Sequence, residues 1–177
     1  KATYAPGDRA VLTITATDYP DLSTATDLQY SFYDSPFPGS TNFTGWDVSN
    51  IRTFNNMFAN SLSSGSIDLS NWDMSSATNI NTMISNVDGN VGDITGWDVS
   101  NVTGNGFVSF MNANEFFNQD ISSWDASNAT NLVNFLRGKV FNQNMGTLSL
   151  GAGLTTMQYM CYFNGMNTEN YTDTFVL

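Results

Sequence analysis

Apolar residues recur along this chain at two alternating spacings, and the pair of patterns returns every 25–27 residues. The first pattern is apolar-x-x-Trp-Asp-apolar. It runs through Phe43, Trp46 and Val48; through Leu69 (with Ile67 beside it), Trp72 and Met74; through Ile94, Trp97 and Val99; and through Ile121, Trp124 and Ala126. The second pattern follows each Trp-Asp pair at spacing i, i+3, i+6, i+7: Ile51, Phe54, Met57, Phe58; then Ala77, Ile80, Met83, Ile84; then Ala129, Leu132, Phe135, Leu136. After Trp97 the copy carries a two-residue insertion around Gly104–Gly106 before Phe107, Phe110 and Met111. Degenerate copies flank these four. Asp21-Leu22-Ser23-Thr24-Ala25 aligns with Asp47-Val48-Ser49-Asn50-Ile51, with Leu28 and Phe32 in register. Downstream, Leu154, Met157, Met160 and Cys161 keep the spacing without the Trp-Asp pair.

Self-similarity at such a period is the signature of stacked repeats, in which each unit buries its apolar face only against its neighbours. The first pattern reads like the L-x-x-L-x-L of a leucine-rich repeat. As a short strand it points the Trp and the next apolar residue inward, and Gly96, Asp98 and Ser100 outward. The second pattern reads as one face of a helix of two to three turns, with Ser or Asn available as its cap. The expected fold is an α/β repeat: a leucine-rich-repeat-like right-handed solenoid of about six turns, with a narrow parallel sheet and short helices. Residues 20–165 form the repeat region. Residues 1–19, where Arg9–Thr17 alternates like a strand, form an N-terminal cap or the end of a preceding β-domain. Residues 166–177 form a closing segment. The chain starts at Lys1 and stops on Thr174-Phe175-Val176-Leu177, so it reads as part of a longer chain.

Charge narrows the partners. Sixteen acidic residues face five Lys plus Arg, a net charge of −11. Too few cations exist to neutralise phosphates, so nucleic acid and anionic membrane surfaces are poor partners. No run reaches the ~18 apolar residues of a membrane span. There is no His, and Cys161 is the single Cys. His-based triads, Cys-His pairs, His/Cys zinc sites and internal disulfides therefore cannot form. Cys161 lies in an apolar run and reads as a buried core thiol.

Two stretches of Gly-Trp-Asp-Val-Ser-Asn (45–50 and 96–101), Phe-Asn-Gln-Asp-Ile-Ser-Ser-Trp-Asp (117–125) and Ala-Thr-Asn-Leu (129–132) resemble the BspA-type leucine-rich-repeat surface proteins. The match is closest to the 26-residue branch seen in mycoplasma lipoproteins, marine bacteria and some large viruses or phages, and Met166–Thr172 resembles the segment that ends such arrays. The resemblance covers roughly residues 20–175. It implies display on a cell or virion surface, adhesion, and recognition of a host, a matrix or a glycan. It carries no catalytic residues.

The residue columns supply the candidate chemistry. The inward column Trp46, Trp72, Trp97 and Trp124 reads as core rather than as a stacking platform. The outward column Asp47, Asp73, Asp98 and Asp125, with Ser49, Ser75, Ser100 and Ser127 two residues on, is the candidate binding face. Neighbouring strands would set these carboxylates ~4.8 Å apart, where like charges repel by about 1 kcal/mol in water. Either local N–H groups hold each carboxylate in an Asx-turn, or the column binds cations, calcium above all, or sugars. A second column, Asn42, Asp68, Asp93, Asp120 and Asn144, reads as structural. The pattern matches neither an EF-hand nor an RTX repeat. Carboxylates that are copies of one repeat offer no distinguishable acid and base, so an enzyme is not expected. The sequons at Asn42, Asn101, Asn128 and Asn170 read as by-products of the repeat. The expectation is an extracellular, cell-surface or virion-surface recognition module acting through a repetitive acidic face. Its rivals are a structural spacer or stalk within a larger surface or tail protein, and a face that binds ice or mineral.

Overall fold

A computed structural model describes residues 19–37, 41–61, 66–162 and 165–170, with the backbone alone at 41–42. The strand expected at Arg9–Thr17, and most of the expected closing segment, lie outside the described residues.

The apolar-x-x-apolar spacing builds tight turns, because two apolar residues three apart can both face inward while the backbone closes between them. Each Trp N–H donates to the carbonyl of the apolar residue three before it: Trp46 to Phe43 at 3.0 Å, Trp72 to Leu69 at 3.1 Å, Trp97 to Ile94 at 3.2 Å, Trp124 to Ile121 at 3.0 Å. A second turn follows at once. Ile51 donates to Val48 at 2.9 Å, Ala77 to Met74 at 2.8 Å, Val102 to Val99 at 2.9 Å and Ala129 to Ala126 at 3.0 Å. These i→i−3 bonds are those of β-turns. Between the two turns the chain is extended for a step, so Trp97 points in, Asp98 out and Val99 in.

The expected short helices are absent among the described residues of these segments. The i, i+3, i+6, i+7 face is instead a third set of turns, in which Met57 donates to Phe54 at 2.9 Å, Met83 to Ile80 at 3.1 Å and Phe135 to Leu132 at 3.2 Å. The cause lies in the backbone between the apolar residues. Asn56, Thr82, Ser109 and Asn134 sit at φ of 55, 56, 55 and 57°, which no α-helix contains. Asn tolerates this left-handed conformation better than most residues. A helix of two turns is also marginal alone, whereas turns leave alternate N–H groups free to bond sideways.

Those sideways bonds hold the units together. On this turn face Tyr30 donates to Asn55, Asn56 to Asn81, Thr82 to Val108, Ser109 to Val133 and Asn134 to Gln158, all between 2.9 and 3.1 Å. Just before this face the later unit donates to the earlier: Thr78 to Arg52 at 2.8 Å, Thr103 to Thr78 at 3.2 Å, Thr130 to Gly104 at 2.9 Å and Thr155 to Thr130 at 2.9 Å. Strand pairing is parallel and brief. β1 (Thr41–Asn42) pairs with β2 (Ile67–Asp68), and β3 (Asp125–Ala126) with β4 (Ser149–Leu150). Single parallel bridges join Asp27 to Thr53, Thr53 to Asn79, Gly104 to Ala129 and Asn131 to Thr156. The insertion is absorbed at Gly104, where φ is +58°.

The core is one run of buried columns. Phe54, Ile80, Phe107 and Leu132 form one and Phe58, Ile84, Met111 and Leu136 another. Trp72, Trp97 and Trp124 are buried, and Trp46, near the end of the array, is half-buried against Phe32 and Phe43. Trp97 and Trp124 stack with centroids 6.2 Å apart and planes 10° apart. The indole N–H groups donate to the preceding unit: Trp72 Nε1 to Phe43 O at 2.8 Å, Trp97 Nε1 to Leu69 O at 3.3 Å and Trp124 Nε1 to Thr95 O at 3.2 Å. Two expected core members fall at the far edge. Cys161 is half-buried against the core, and Met157 is exposed. Asn167 and Asn170, in the described part of the closing segment, bond back to Asn142 at 2.7 and 2.9 Å.

Candidate functional site

Every carboxylate of the outward column heads the turn that follows it. Oδ1 of Asp47 accepts the Ser49 N–H at 3.1 Å, Asp73 that of Ser75 at 3.0 Å, Asp98 that of Ser100 at 3.0 Å and Asp125 that of Ser127 at 2.9 Å. The Ser hydroxyls add bonds of 2.6 Å at Asp47 and 2.7 Å at Asp98. Asp21 accepts from Ser23 at 3.0 Å in the same way. These are Asx-turns, which satisfy an N–H that a tight turn otherwise leaves to water.

The second column does the same for the turn before. Asp68 accepts from Ser70 at 3.1 Å, Asp93 from Thr95 at 3.0 Å, Asp120 from Ser122 at 3.0 Å and Asn144 from Gly146 at 2.8 Å. A third column appears on the turn face, where Asp27, Asn79 and Asn131 accept from Gln29, Asn81 and Val133 at 2.6, 2.9 and 2.9 Å. Each repeat therefore contains three five-residue units of the form Asx-apolar-x-x-apolar. The sequence carries that signal, in Asp68-Leu69-Ser70-Asn71-Trp72-Asp73-Met74-Ser75-Ser76-Ala77 for instance, but a reading that begins from the tryptophans divides it differently. A further tie links units: Asn101 Nδ2 donates to Ser75 O and Asn128 Nδ2 to Ser100 O, both at 2.8 Å.

These bonds set the electrostatics. The Ser49 hydroxyl and then its N–H hold Asp47 below the usual carboxylate range, as Ser23 does for Asp21 and Ser127 for Asp125. Ser75 lowers Asp73 likewise, against a smaller opposing push from the charge of Asp47. Thr95 and Ser122 lower Asp93 and Asp120. At Asp73, hydrogen bonds to the charged form outweigh the repulsion from Asp47.

The resulting surface is a solvent-facing strip of carboxylates, with half-buried serines between them. Among the described residues, no three His, Cys, Asp or Glu side chains are grouped to hold a metal ion, and no helix is long and apolar enough to cross a membrane. Two small clefts meet at Asn114, one of them lined by Met111, Phe117, Leu136, Gly138 and Phe141, and the enclosed space in each is about 10 Å³. That lies below the ~300–1,000 Å³ of most small-molecule sites. Asn114 is buried there. Its Oδ1 accepts the N–H groups of Phe116 and Phe117 at 2.9 and 3.0 Å, while its Nδ2 has no protein partner.

A family model described as Mycoplasma protein of unknown function, DUF285, matches residues 9–116 and again 68–174. The chain belongs to this BspA-like repeat family. One DUF285 model fitting twice, with overlap, is what a chain of interchangeable units produces. Comparison with curated proteins finds no match, and comparison with solved structures finds none. In this DUF285 chain the Asp-Ser pairs that the periodicity singles out come together as turn caps, and the indole bonds between units add a role for Trp beyond its apolar bulk.

Proposed function

We propose that this chain is a recognition or adhesion module displayed outside the cell or on a virion, which binds a protein or glycan partner through its repetitive acidic face. The observation that carries the reading is the outward strip Asp47, Asp73, Asp98 and Asp125. One geometry recurs there from unit to unit, with hydroxyls and amides alongside. A rigid periodic charge pattern complements a partner with spaced cations, and it steers association. The net charge of −11 has the same sign as the strip. In this reading the units coil as a right-handed, leucine-rich-repeat-like solenoid of about six turns. The parallel pairings and the unit-to-unit hydrogen bonds support it. The chain would sit in the 26-residue Trp-Asp-x-Ser-Asn branch, and would be one part of a longer surface protein.

The test is binding of the labelled chain to immobilised matrix proteins, basic peptides and glycans, beside a variant with Asp47, Asp73, Asp98 and Asp125 all changed to Asn. The change removes four charges and keeps the turns, since Asn79 and Asn131 already cap turns in this chain. Binding that falls with rising salt and disappears in the variant, at unchanged circular dichroism, supports the reading. Binding that survives the substitution, or no binding by the intact chain, rejects it in favour of a spacer.

A further inference from the structure

The turn face carries a rank of six residues in the left-handed conformation: Tyr30, Asn56, Thr82, Ser109, Asn134 and Tyr159, at φ of 57, 55, 56, 55, 57 and 58°. The four inner members are small and polar, as such a backbone favours. The two outer members are tyrosines, which it disfavours. Packing does not account for them, because Tyr30 is 51% and Tyr159 52% exposed. Nor do they close the core, which in the first unit is covered by Phe37, 1% exposed, and by Phe32.

Each outer tyrosine has a second tyrosine three residues on. Tyr30 and Tyr33 meet at 5.7 Å between centroids with planes at 70°, and Tyr159 and Tyr162 at 5.4 Å and 58°. Tyr33 and Tyr162 are also exposed. Each pair is a corner, with one ring a floor and the other a wall. Both corners are held from behind. Asn60 Nδ2 donates to the Tyr33 hydroxyl at 3.0 Å, and Asn60 Oδ1 accepts from Asn86 Nδ2 at 3.0 Å. The Arg137 guanidinium lies over the Tyr162 ring, 5.7 Å from its centroid. Beside the first corner, Asn55 Nδ2 donates to Gln29 Oε1 at 3.2 Å.

We propose that these tyrosine corners are binding sites for neutral sugar chains, one at each end of the turn face. The axial C–H bonds of a pyranose ring present an apolar, positively polarised face to the negative face of an aromatic ring. At the first corner the sugar hydroxyls then meet the Asn55 and Gln29 amides, which both donate and accept; at the second they meet the Arg137 guanidinium, which donates. Fixed rings lose little freedom on binding. The ligand is neutral because a chain of net charge −11 repels anionic glycans. This surface is separate from the acidic strip and does not depend on its reading.

The experiment is calorimetric titration of the intact chain with cellohexaose, N-acetylated chitohexaose and mannohexaose, with oligogalacturonate as the anionic comparison. The informative variant is Tyr30→Asn with Tyr159→Asn, which places at both ends the residue that Asn56 and Asn134 carry at the same backbone angle. It therefore folds while losing a ring from each corner. The expected result is binding of at least one neutral hexasaccharide, about tenfold weaker in this variant through lost stacking. Further removal of Tyr33 and Tyr162 as alanines abolishes it, and Asp73→Asn with Asp98→Asn leaves it unchanged. The proposal is overturned by no binding of any neutral hexasaccharide, by equal affinity in the Asn variant, or by tighter binding of oligogalacturonate. It is equally overturned if the corners capture a protein in a tyrosine-dependent way while no sugar binds.

Discussion

Trp72, Trp97 and Trp124 each tie two units together, by area and by one hydrogen bond. Trp72 is buried and its indole N–H reaches the Phe43 carbonyl. Trp72→Phe keeps most of the packing and removes one of the two bonds to that carbonyl, which still accepts the Trp46 N–H, and should cost about 0.5–1.5 kcal/mol. Trp72→Ala adds a cavity and should cost about 3–5 kcal/mol. Urea unfolding followed by circular dichroism separates the two, and a cost near zero for Trp72→Phe would mean that the hydrogen bond contributes nothing. The aspartates set the response to acid. Asp47, Asp73 and Asp125 have folded pKa values lowered from an unfolded value near 3.8. Their contribution is thus complete above that value and is lost as pH falls through the lower, folded one. The melting temperature should stay nearly level from pH 7 to about 5 and drop below about pH 4. Asp73→Asn keeps an oxygen for the Ser75 N–H, so it should melt above Asp73→Ala at pH 7, and both variants, having no carboxylate there, should lose less on acidification than the wild type. A wild-type acid loss no steeper than that of Asp73→Asn contradicts the assignment.

At the scale of the element, spacing was legible and conformation was not. Apolar residues three and four apart face one way on a helix and also on consecutive turns, so Ile51–Phe58 and Ala129–Leu136 fit either pattern. The turns prevail through Asn56, Asn134 and their equivalents, at left-handed φ, and through N–H groups that bond to the next unit rather than along the chain. Asn at two of the equivalent positions, 56 and 134, was the available signal for that. Close approach of neighbouring turns gives the sharpest prediction here. A Cβ on Gly151, beside β4, would overlap the Ser127 carbonyl oxygen, whereas one on Gly96 meets nothing within 4 Å. Gly151→Ala should destabilise by about 1–3 kcal/mol, as overpacking does, while Gly96→Ala should stay within about 0.5 kcal/mol. Thermal melts of the two variants side by side measure the difference, and similar midpoints would remove the argument for close approach at β4.

Over the whole molecule, the charge is distributed as repeated single carboxylates rather than gathered into a cage. Each Asp of the outward column is held by its own turn, and among the described residues no three ligating groups converge. Calcium should therefore act on the array as a screening ion. The melting temperature should rise equally with ~10 mM CaCl₂ and with NaCl of the same ionic strength, and EDTA should leave it unchanged. A calcium-specific rise that vanishes in Asp73→Asn with Asp98→Asn would instead establish the column as a cation site.

The sequence alone determined the period, the inward columns from Phe43 to Leu136, and the outward place of Asp47, Asp73, Asp98 and Asp125. These follow from burial of apolar side chains, which local alternation specifies. It also excluded His-dependent and disulfide chemistry by composition. The tertiary structure decided what the backbone does between those positions. Whether Phe54–Phe58 is a helix or a pair of turns depends on whether its N–H groups have a partner in the next unit, and that partner lies 25 or more residues away in the chain. The tyrosine corners came from the same level. Tyr30 and Tyr159 are 129 residues apart, and only the stacking of units places them in one rank, with a backbone angle that marks them as unlike the residues between.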